Sequence, residues 1–261
     1  MRKELRDLRS NRQVGAGYII LPVVTLGLPI LLLALLPLMT GPEAARDPGI
    51  RMLLESVESD PSLQGATVSE RLARLLLRDS GIMYLLMPMI LAAGSSALSI
   101  VREKEQRTLE PILATPIGDV QLLWAKLLAV MGAPLLVTWA TGIAGLAVSA
   151  IASLLFVDVI IGPTGGNLVA LFVLGPVLAA AAGLSGIGVS MRLTDSQAAN
   201  QFVGLVIVPI ALVVVAVLGR PAMISPLAGL AGTVAGVGVC ALLFRRALGR
   251  LRQEELLTRW R

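Results

Sequence analysis

The sequence contains no histidine and a single cysteine, Cys240, among its 261 residues. Histidine and cysteine are the usual ligands of zinc and other transition metals, so this composition excludes most metal sites, and one cysteine cannot form an intramolecular disulfide. Cys240 lies within an apolar stretch, where a small packing residue is expected instead of a reactive thiol. We therefore expect neither a metal site nor a catalytic centre in this chain.

Lysine is scarce as well, and its positions exclude a nucleotide-binding loop. The lysines are Lys3, Lys104 and Lys126, and none of them follows a glycine or stands in a GxxxxGK[ST] pattern. That pattern places backbone N–H groups and a lysine around the phosphates of ATP. We expect the chain itself to be no enzyme and to hold no cofactor. Any ATP on which it depends must then be bound by another chain.

Charged residues make up 15% of the chain and hydrophobic residues 56%, and the mean hydropathy is +0.82. A chain this apolar is typical of membrane proteins, and helices satisfy their own backbone groups within a bilayer. We predict one all-α integral membrane domain over residues 1–261 with six transmembrane helices. The predicted spans are residues 14–39, 81–101, 127–157, 168–191, 198–218 and 227–244.

Three segments lie outside the predicted spans. Residues 1–13 are expected to form an amphipathic helix on the membrane surface, and residues 245–261 a basic tail. Residues 40–79 are long enough for a lid over a cavity mouth but too short for a domain with its own core. Apolar residues at helical spacing predict two short amphipathic helices there, separated near Asp60-Pro61. They contain Ile50, Leu53, Leu54 and Val57, and Val68, Leu72, Leu75 and Leu76.

Small residues form two short motifs inside the spans. The tetrapeptide Gly183-Leu184-Ser185-Gly186 matches the GxSG motif of rhomboid-like intramembrane proteases. A serine nucleophile needs a base, and those proteases use a histidine, so we interpret the tetrapeptide as a helix-packing motif. Gly232 and Gly236 stand at GxxxG spacing, which permits close helix approach. Glycine is common in membrane helices in any case, so we assign no dimer contact to this pair.

The basic residues predict the orientation in the membrane. The side that carries both termini, residues 102–126 and Arg192 has 16 Lys and Arg, against 6 on the other side. Positive charge accumulates in cytoplasmic loops. We therefore predict a multi-pass protein of the cell inner membrane, with both termini in the cytoplasm and residues 40–79 outside it. Because the basic residues flank spans, the sequence pI of 10.1 does not indicate a nucleic-acid partner.

The predicted spans carry no Asp, Glu, Lys or Arg deep in the bilayer. Proton- and ion-coupled carriers usually need such residues as relays or counter-charges. This composition favours a permease that is moved by a partner protein.

A charged segment, residues 102–116, separates the second and third spans and must lie in water. Thr108 can cap a short helix there, and Pro111 then falls in its first turn, where no intrahelical N–H is needed. Leu109, Ile112 and Leu113 form an apolar stripe with Glu110 beside it. A helix of one to two turns is marginal alone and needs a partner surface. The alternative is an ordinary loop whose charges only stop translocation.

The order of residues in this segment resembles the ABC-2 type permease family of ABC transporters. The resemblance lies in Arg-Glu-Lys-Glu, then Thr-Leu-Glu, a hydrophobic pair and Thr-Pro, directly after a span; Arg107 stands where many members have glycine. In that family the segment carries a coupling helix that docks into a groove of the ATPase subunit. The resemblance implies that ATPase coupling involves Glu103, Glu105, Thr108, Leu109, Glu110, Ile112 and Leu113.

The same resemblance implies a set of partners. They are two ATP-binding cassette subunits, which hold the ATP and magnesium, a second permease copy or a homologous permease, and the lipid bilayer. It also implies ATP-driven transport, and we expect export.

Aromatic residues are few, with 4 Phe, 2 Tyr and 3 Trp. Sugar polymers stack on aromatic rings, so a lipid-like or amphiphilic, drug-like cargo is favoured, with a small ion left open. The alternative from another class is a non-transporting membrane scaffold or a membrane-embedded enzyme.

Overall fold

The computed structural model describes residues 12–40, 52, 55, 67–105, 118–193, 198–199, 201–202, 204, 208 and 226–259. This part of the chain contains helices and no strand, which confirms the predicted fold class. The helices are α1 (Arg12–Ala34), α2 (Leu36–Thr40), α3 (Val68–Asp79), α4 (Gly81–Glu105), α5 (Asp119–Val157), α6 (Gly165–Val169), α7 (Gly175–Ser190) and α8 (Pro226–Arg259). A π-helix over Ala170–Leu174, here called the π segment, joins α6 to α7.

Five stretches within the described residues are long and apolar enough to cross a membrane. They are Gly15–Leu38, Ser69–Glu105, Asp119–Val157, Gly165–Ser190 and Ala231–Gly249. They correspond to the first, second, third, fourth and sixth predicted spans. The predicted fifth span, residues 198–218, lies mostly outside the described residues, and so does most of the surface helix over residues 1–13. The total of six spans therefore stays a prediction.

α4 and α7 pack closely through small residues. A Cβ atom on Gly186 would lie 2.9 Å from the Cβ of Ser96 and 3.3 Å from the carbonyl oxygen of Ala93, so no side chain fits there. A Cβ on Gly183 would lie 3.3 Å from Leu127 of α5. The tetrapeptide Gly183–Gly186 thus serves helix packing, as the sequence indicated. Between α4 and α7 lies a buried cluster of Met89, Ala93, Ala97, Val101, Ala182 and Ala199.

α8 packs against α7 with the face that carries its small residues. A Cβ on Gly236 would lie only 2.6 Å from Cγ1 of Val177, and one on Gly232 would lie 3.6 Å from Cδ2 of Leu174. One turn further along, the Cys240 thiol donates a hydrogen bond to the carbonyl oxygen of Val177 at 3.4 Å. The GxxxG pattern is therefore used inside the chain, and Cys240 is a packing residue.

The π segment sits where a proline interrupts the fourth span. The N–H of Gly175 bonds to the carbonyl oxygen of Ala170, five residues earlier. In this register the carbonyl of Leu171 faces residue 176, which is proline and has no N–H. The indole N–H of Trp139 in α5 donates to that carbonyl instead, at 3.3 Å. A neighbouring helix thereby satisfies the backbone group that Pro176 leaves free.

α5 is the longest helix, with 39 residues, or about 58 Å at 1.5 Å per residue. It ends at Asp158, whose left-handed backbone (φ 58°, ψ 16°) turns its N–H onto the carbonyl oxygen of Leu154. An aspartate tolerates this conformation better than most side chains do. The end of the bundle near Asp158 is called the distal end below, and the end formed by Glu105 and Asp119 the basal end.

α3 covers the distal end of the bundle. Its apolar side packs with the end of α1 and with the residues around the end of α5 in one buried cluster. That cluster contains Leu33, Leu36, Leu72, Ala73, Leu75, Leu77, Ala152 and Ile161. Glu70 and Arg74 pair one turn apart on the same helix, with a shortest N–O distance of 2.7 Å. α3 occupies the place of the second expected amphipathic helix, whereas the first lies almost entirely outside the described residues.

Candidate functional site

The charged segment connects two helices whose ends form the basal end of the bundle. α4 contains the first residues of the segment as far as Glu105, residues 106–117 lie outside the described part, and α5 begins at Asp119. Of the residues predicted to contact an ATPase, the structure places Glu103 and Glu105 on the last turn of α4. The others lie outside the described residues, namely Thr108, Leu109, Glu110, Ile112 and Leu113. The short helix expected between them therefore stays a prediction.

Glu103 forms an ion pair with Lys126 of α5. The Lys126 ammonium donates to Oε2 of Glu103, and the two side chains are only 10% and 21% exposed. A charge this far removed from water is costly unless an opposite charge lies beside it. The pair thus joins the final turn of α4 to α5, eight residues into that helix.

Lys104, the next residue of α4, is directed to a different helix. Its ammonium donates to the carbonyl oxygen of Met191, the residue that follows the last turn of α7. Carbonyl groups at the end of a helix lack intrahelical donors and carry partial negative charge, so a lysine there is favourable. Glu103 and Lys104, which are adjacent on α4, therefore bind two different neighbouring helices, α5 and α7.

A buried serine adds a third connection. Oγ of Ser190 in α7 accepts hydrogen bonds from the backbone N–H groups of Ile100, at 3.2 Å, and Val101, at 3.0 Å. Ser190 is fully buried, as is Val101. These bonds fix the height of α7 relative to the last two turns of α4.

Apolar side chains from four helices surround these polar connections. Ile100, Leu123, Ile187, Met191 and Ala247 form a buried cluster, and Phe244 of α8 contacts Trp124 of α5 with ring centroids 5.0 Å apart. We call this assembly the anchoring platform. It consists of Ile100, Val101, Glu103, Lys104, Leu123, Trp124, Lys126, Ile187, Ser190, Met191, Phe244, Ala247 and Leu248. The last turns of α4 and the first turns of α5, which flank residues 106–117, therefore belong to one packed region.

The ion pair also sets the relative heights of α4 and α5. Lys126 follows Asp119 by seven residues, or about 10 Å of helix, whereas Glu105 follows Glu103 by two residues, or about 3 Å. The ion pair therefore lies within one turn of the end of α4 and about two turns from the start of α5.

Polar groups inside the bundle are mostly hydroxyls. Tyr18 and Ser95 share a hydrogen bond of 3.0 Å, and Thr25 donates to Sδ of Met87 at 3.8 Å. Among the described residues, the buried hydroxyls of Ser99 and Thr138 have no hydrogen-bond partner. No three acidic, histidine or cysteine side chains come together in the described ranges as a metal site would require.

The sequence identified the charged segment but not the platform that holds it. Sequence placed Lys126 among the basic residues of the cytoplasmic side, just before the third span, and gave no partner for it. The available signal was a pair of opposite charges, Glu103 just after the second predicted span and Lys126 just before the third. Ser190 and Met191 gave none, because a hydroxyl or a carbonyl at a helix end is found in any sequence.

Comparison with protein-family models matches residues 1–235 to the family described as ABC-2 family transporter protein. The match covers the charged segment, the described spans up to α7 and the first ten residues of α8. Comparison with curated proteins and with solved structures gave no match.

Proposed function

From the premise that the chain belongs to the ABC-2 family of transporter proteins, and so is a permease subunit of an ABC transporter, we propose that it exports a lipid-like or amphiphilic, drug-like substrate. The observation that carries the proposal is the family match over residues 1–235, which contains the charged segment. A permease of this kind obtains its energy from a separate ATPase. The proposal therefore needs a docking surface on this chain and a means of moving its helices.

We propose the charged segment as the docking surface. Glu105 is exposed at its start, and the sequence supplies an apolar stripe of Leu109, Ile112 and Leu113 with Glu110 beside it. A short helix gripped by a partner gains the stability that it lacks alone. The anchoring platform supports this assignment, because a displaced segment can move helices only if its ends are held by them. The charge asymmetry of the sequence would place the segment in the cytoplasm, with the ATPase.

ATP and magnesium belong to the partner in this proposal. None of the three lysines of the chain lies in a phosphate-binding loop, so the permease should neither bind nor hydrolyse ATP. Two ATPase subunits and a second permease, identical or homologous, would complete the transporter in the cell membrane. The chain as a whole then acts as one permease domain.

The interior of the described bundle supports an amphiphilic cargo. Its buried surface is largely aliphatic, and most of its buried polar groups are hydroxyls, as at Thr25 and Thr138. The other buried polar residues in the described part are Glu70, Lys126 and Asn167. A hydrocarbon chain is compatible with the aliphatic part, and a small polar head group with the hydroxyls. Export is proposed as the direction, because such molecules partition readily into the inner leaflet.

The decisive test is reconstitution with an ABC ATPase that co-purifies with this permease. The two proteins are co-expressed, purified and placed in liposomes, and ATP hydrolysis is measured with and without candidate amphiphiles. The matched control replaces residues 106–117 by a Gly-Ser linker of equal length and leaves the described helices intact. We expect the natural chain to retain the ATPase and the control to lose it. Equal retention by both, or none by either, would instead support a scaffold or a membrane-embedded enzyme.

A further inference from the structure

We propose that Lys126 is a positioning residue for transport, which makes α4 and α5 move as one unit when the charged segment is displaced. The inference rests on the proposed function, because it concerns how the movement of a docked segment reaches the membrane helices. It also gives Glu103 a different role from the one implied by the family resemblance. Glu103 acts through Lys126 within the permease, and the role proposed for Glu105 and the following residues at the ATPase is unchanged.

The first argument concerns the buried face of the first turns of α5. Leu123 and Lys126 are buried there, whereas Val120 is 42% and Trp124 48% exposed. Lys126 is the charged member of that buried face and reaches the last turn of α4. Without it, the apolar contacts of Leu123 and the ring contact between Trp124 and Phe244 would remain, and such contacts restrain sliding of neighbouring helices less because they are non-directional. The ion pair is directional, so it fixes the height of α5 relative to α4.

The second argument comes from the order of charges on α4. The acidic Glu103 selects Lys126 of α5, and the basic Lys104 selects the carbonyl end of α7. If α5 and the end of α7 exchanged positions around α4, Lys104 would face Lys126 and Glu103 would face a carbonyl oxygen. Both contacts would be repulsive. Such repulsion in the wrong arrangement is how charged groups specify one arrangement over another. The two residues therefore fix which helix lies on which side of the α4 end.

The third argument separates positioning from simple stabilisation. A buried ion pair stabilises a fold no better than an apolar pair of similar size, because both charges lose their hydration. An apolar pair at residues 103 and 126 would therefore keep the fold. It would not keep the fixed height of α5 relative to α4. The two roles predict different behaviour for an apolar double variant, which makes the inference testable.

The experiment uses the permease–ATPase complex in liposomes and measures three quantities for each variant. They are the thermal midpoint, retention of the ATPase, and the number of substrate molecules transported per ATP hydrolysed. The variants are Lys126→Met, the charge exchange Glu103→Lys with Lys126→Glu, and the apolar pair Glu103→Leu with Lys126→Met. Leu128→Met serves as a matched control, since it changes a side chain that is 64% exposed, lies outside the anchoring platform and stands two residues away on the same helix.

We expect Lys126→Met to retain the ATPase and to lower transport per ATP about tenfold, a typical size for coupling between two sites. The charge exchange should recover to within about threefold of the natural chain, within the range of coupling losses. The apolar pair should keep the thermal midpoint of the natural chain and remain as poorly coupled as Lys126→Met. If Lys126→Met fails to fold, transport per ATP is compared between the charge exchange and the apolar pair. Better coupling in the charge exchange would then support the positioning role.

Two results would overturn the inference. Full coupling in the apolar pair would show that Lys126 only fills space and stabilises the fold. Undiminished coupling in folded Lys126→Met would show that the ion pair has no part in transmission. Failure of the natural chain to retain or stimulate the ATPase is a different result, because it would count against the proposed function itself.

Discussion

Trp139 of α5 supplies Leu171 with the hydrogen bond that Pro176 cannot give. The indole nitrogen lies 3.3 Å from the carbonyl oxygen, in the π segment that joins α6 to α7. A proline in a membrane helix usually leaves a carbonyl for water or a hydroxyl to satisfy. Here a donor on a neighbouring span takes that place, so the irregular part of the fourth span is tied to the third.

This relationship predicts the effect of Trp139→Phe, which keeps an aromatic ring and removes the donor. Hydrogen bonds between membrane helices contribute on average about 0.6 kcal/mol and at most about 1.7 kcal/mol. We expect a loss of stability within that range, measured as a lower thermal midpoint in detergent. The same change in a Pro176→Ala background should cost less, because residue 176 then offers its own N–H. An equal loss in both backgrounds would contradict the explanation.

The contact between Gly236 and Val177 predicts that even Gly236→Ala disturbs the packing of α8 on α7. Its new Cβ would lie 2.6 Å from Val177, and overpacking of this kind typically costs about 1–3 kcal/mol. Gly238→Ala is the matched control, since a Cβ there meets nothing within 4 Å. Cys240 is the chain's own reporter because its thiol bonds to Val177. Maleimide should label Cys240 faster in Gly236→Ala than in Gly238→Ala, and equal rates would refute the prediction.

The charged segment predicts different outcomes for two substitutions outside the described residues. Leu113→Asp should abolish substrate-stimulated ATP hydrolysis while the permease still inserts, because an unpaired carboxylate at a packed contact costs several kcal/mol. Glu110→Arg should weaken docking less, since a partly exposed ion pair contributes about 0 to 1 kcal/mol. Pull-down of the ATPase by each variant measures the difference. Undiminished docking with Leu113→Asp would identify the segment as a stop-transfer loop.

The orientation predicted from the 16 to 6 asymmetry of basic residues is open to a labelling experiment. On a Cys240→Ala background, cysteines at Glu105, within the charged segment, and at Ser69, on α3, are treated with an impermeant thiol reagent in intact cells. The cysteine at Ser69 should react and the one at Glu105 should react only after lysis. The reverse pattern would invert the topology and remove the charged segment from the reach of a cytoplasmic ATPase.

Much of the fold follows from local sequence, and the parts that did not follow depend on contacts between distant residues. The spans that the structure describes lie where long apolar runs predicted them, because a bilayer demands helices of that length. The family was recognised from the charged segment, and the match over residues 1–235 confirms it. The π segment was not predicted, because Pro176 alone is equally compatible with a simple kink. Its form depends on Trp139, which lies 37 positions before Pro176 in the chain.

The candidate site shows the same division. Glu103 was selected for its place in a motif, but its ion pair depends on the offset in register between α4 and α5, which brings Lys126 beside it. No local pattern gives that offset. Gly232 and Gly236 were recognised as small residues that permit close approach, and only the fold shows that Val177 occupies the space. Sequence thus indicated which residues could make contacts. The arrangement of the helices determined which partners those residues contact.

The length of α5 gives the protein a sensitivity to bilayer thickness. The apolar part of this helix, residues 127–157, would measure about 46 Å, against a hydrocarbon core of about 30 Å. A helix so much longer than the core must tilt strongly or extend into the head groups, and its tilt then changes with the acyl-chain length of the surrounding lipid. One end of α5 receives the charged segment and the other lies under α3. A thicker or thinner membrane would therefore alter the angle at which the segment is presented.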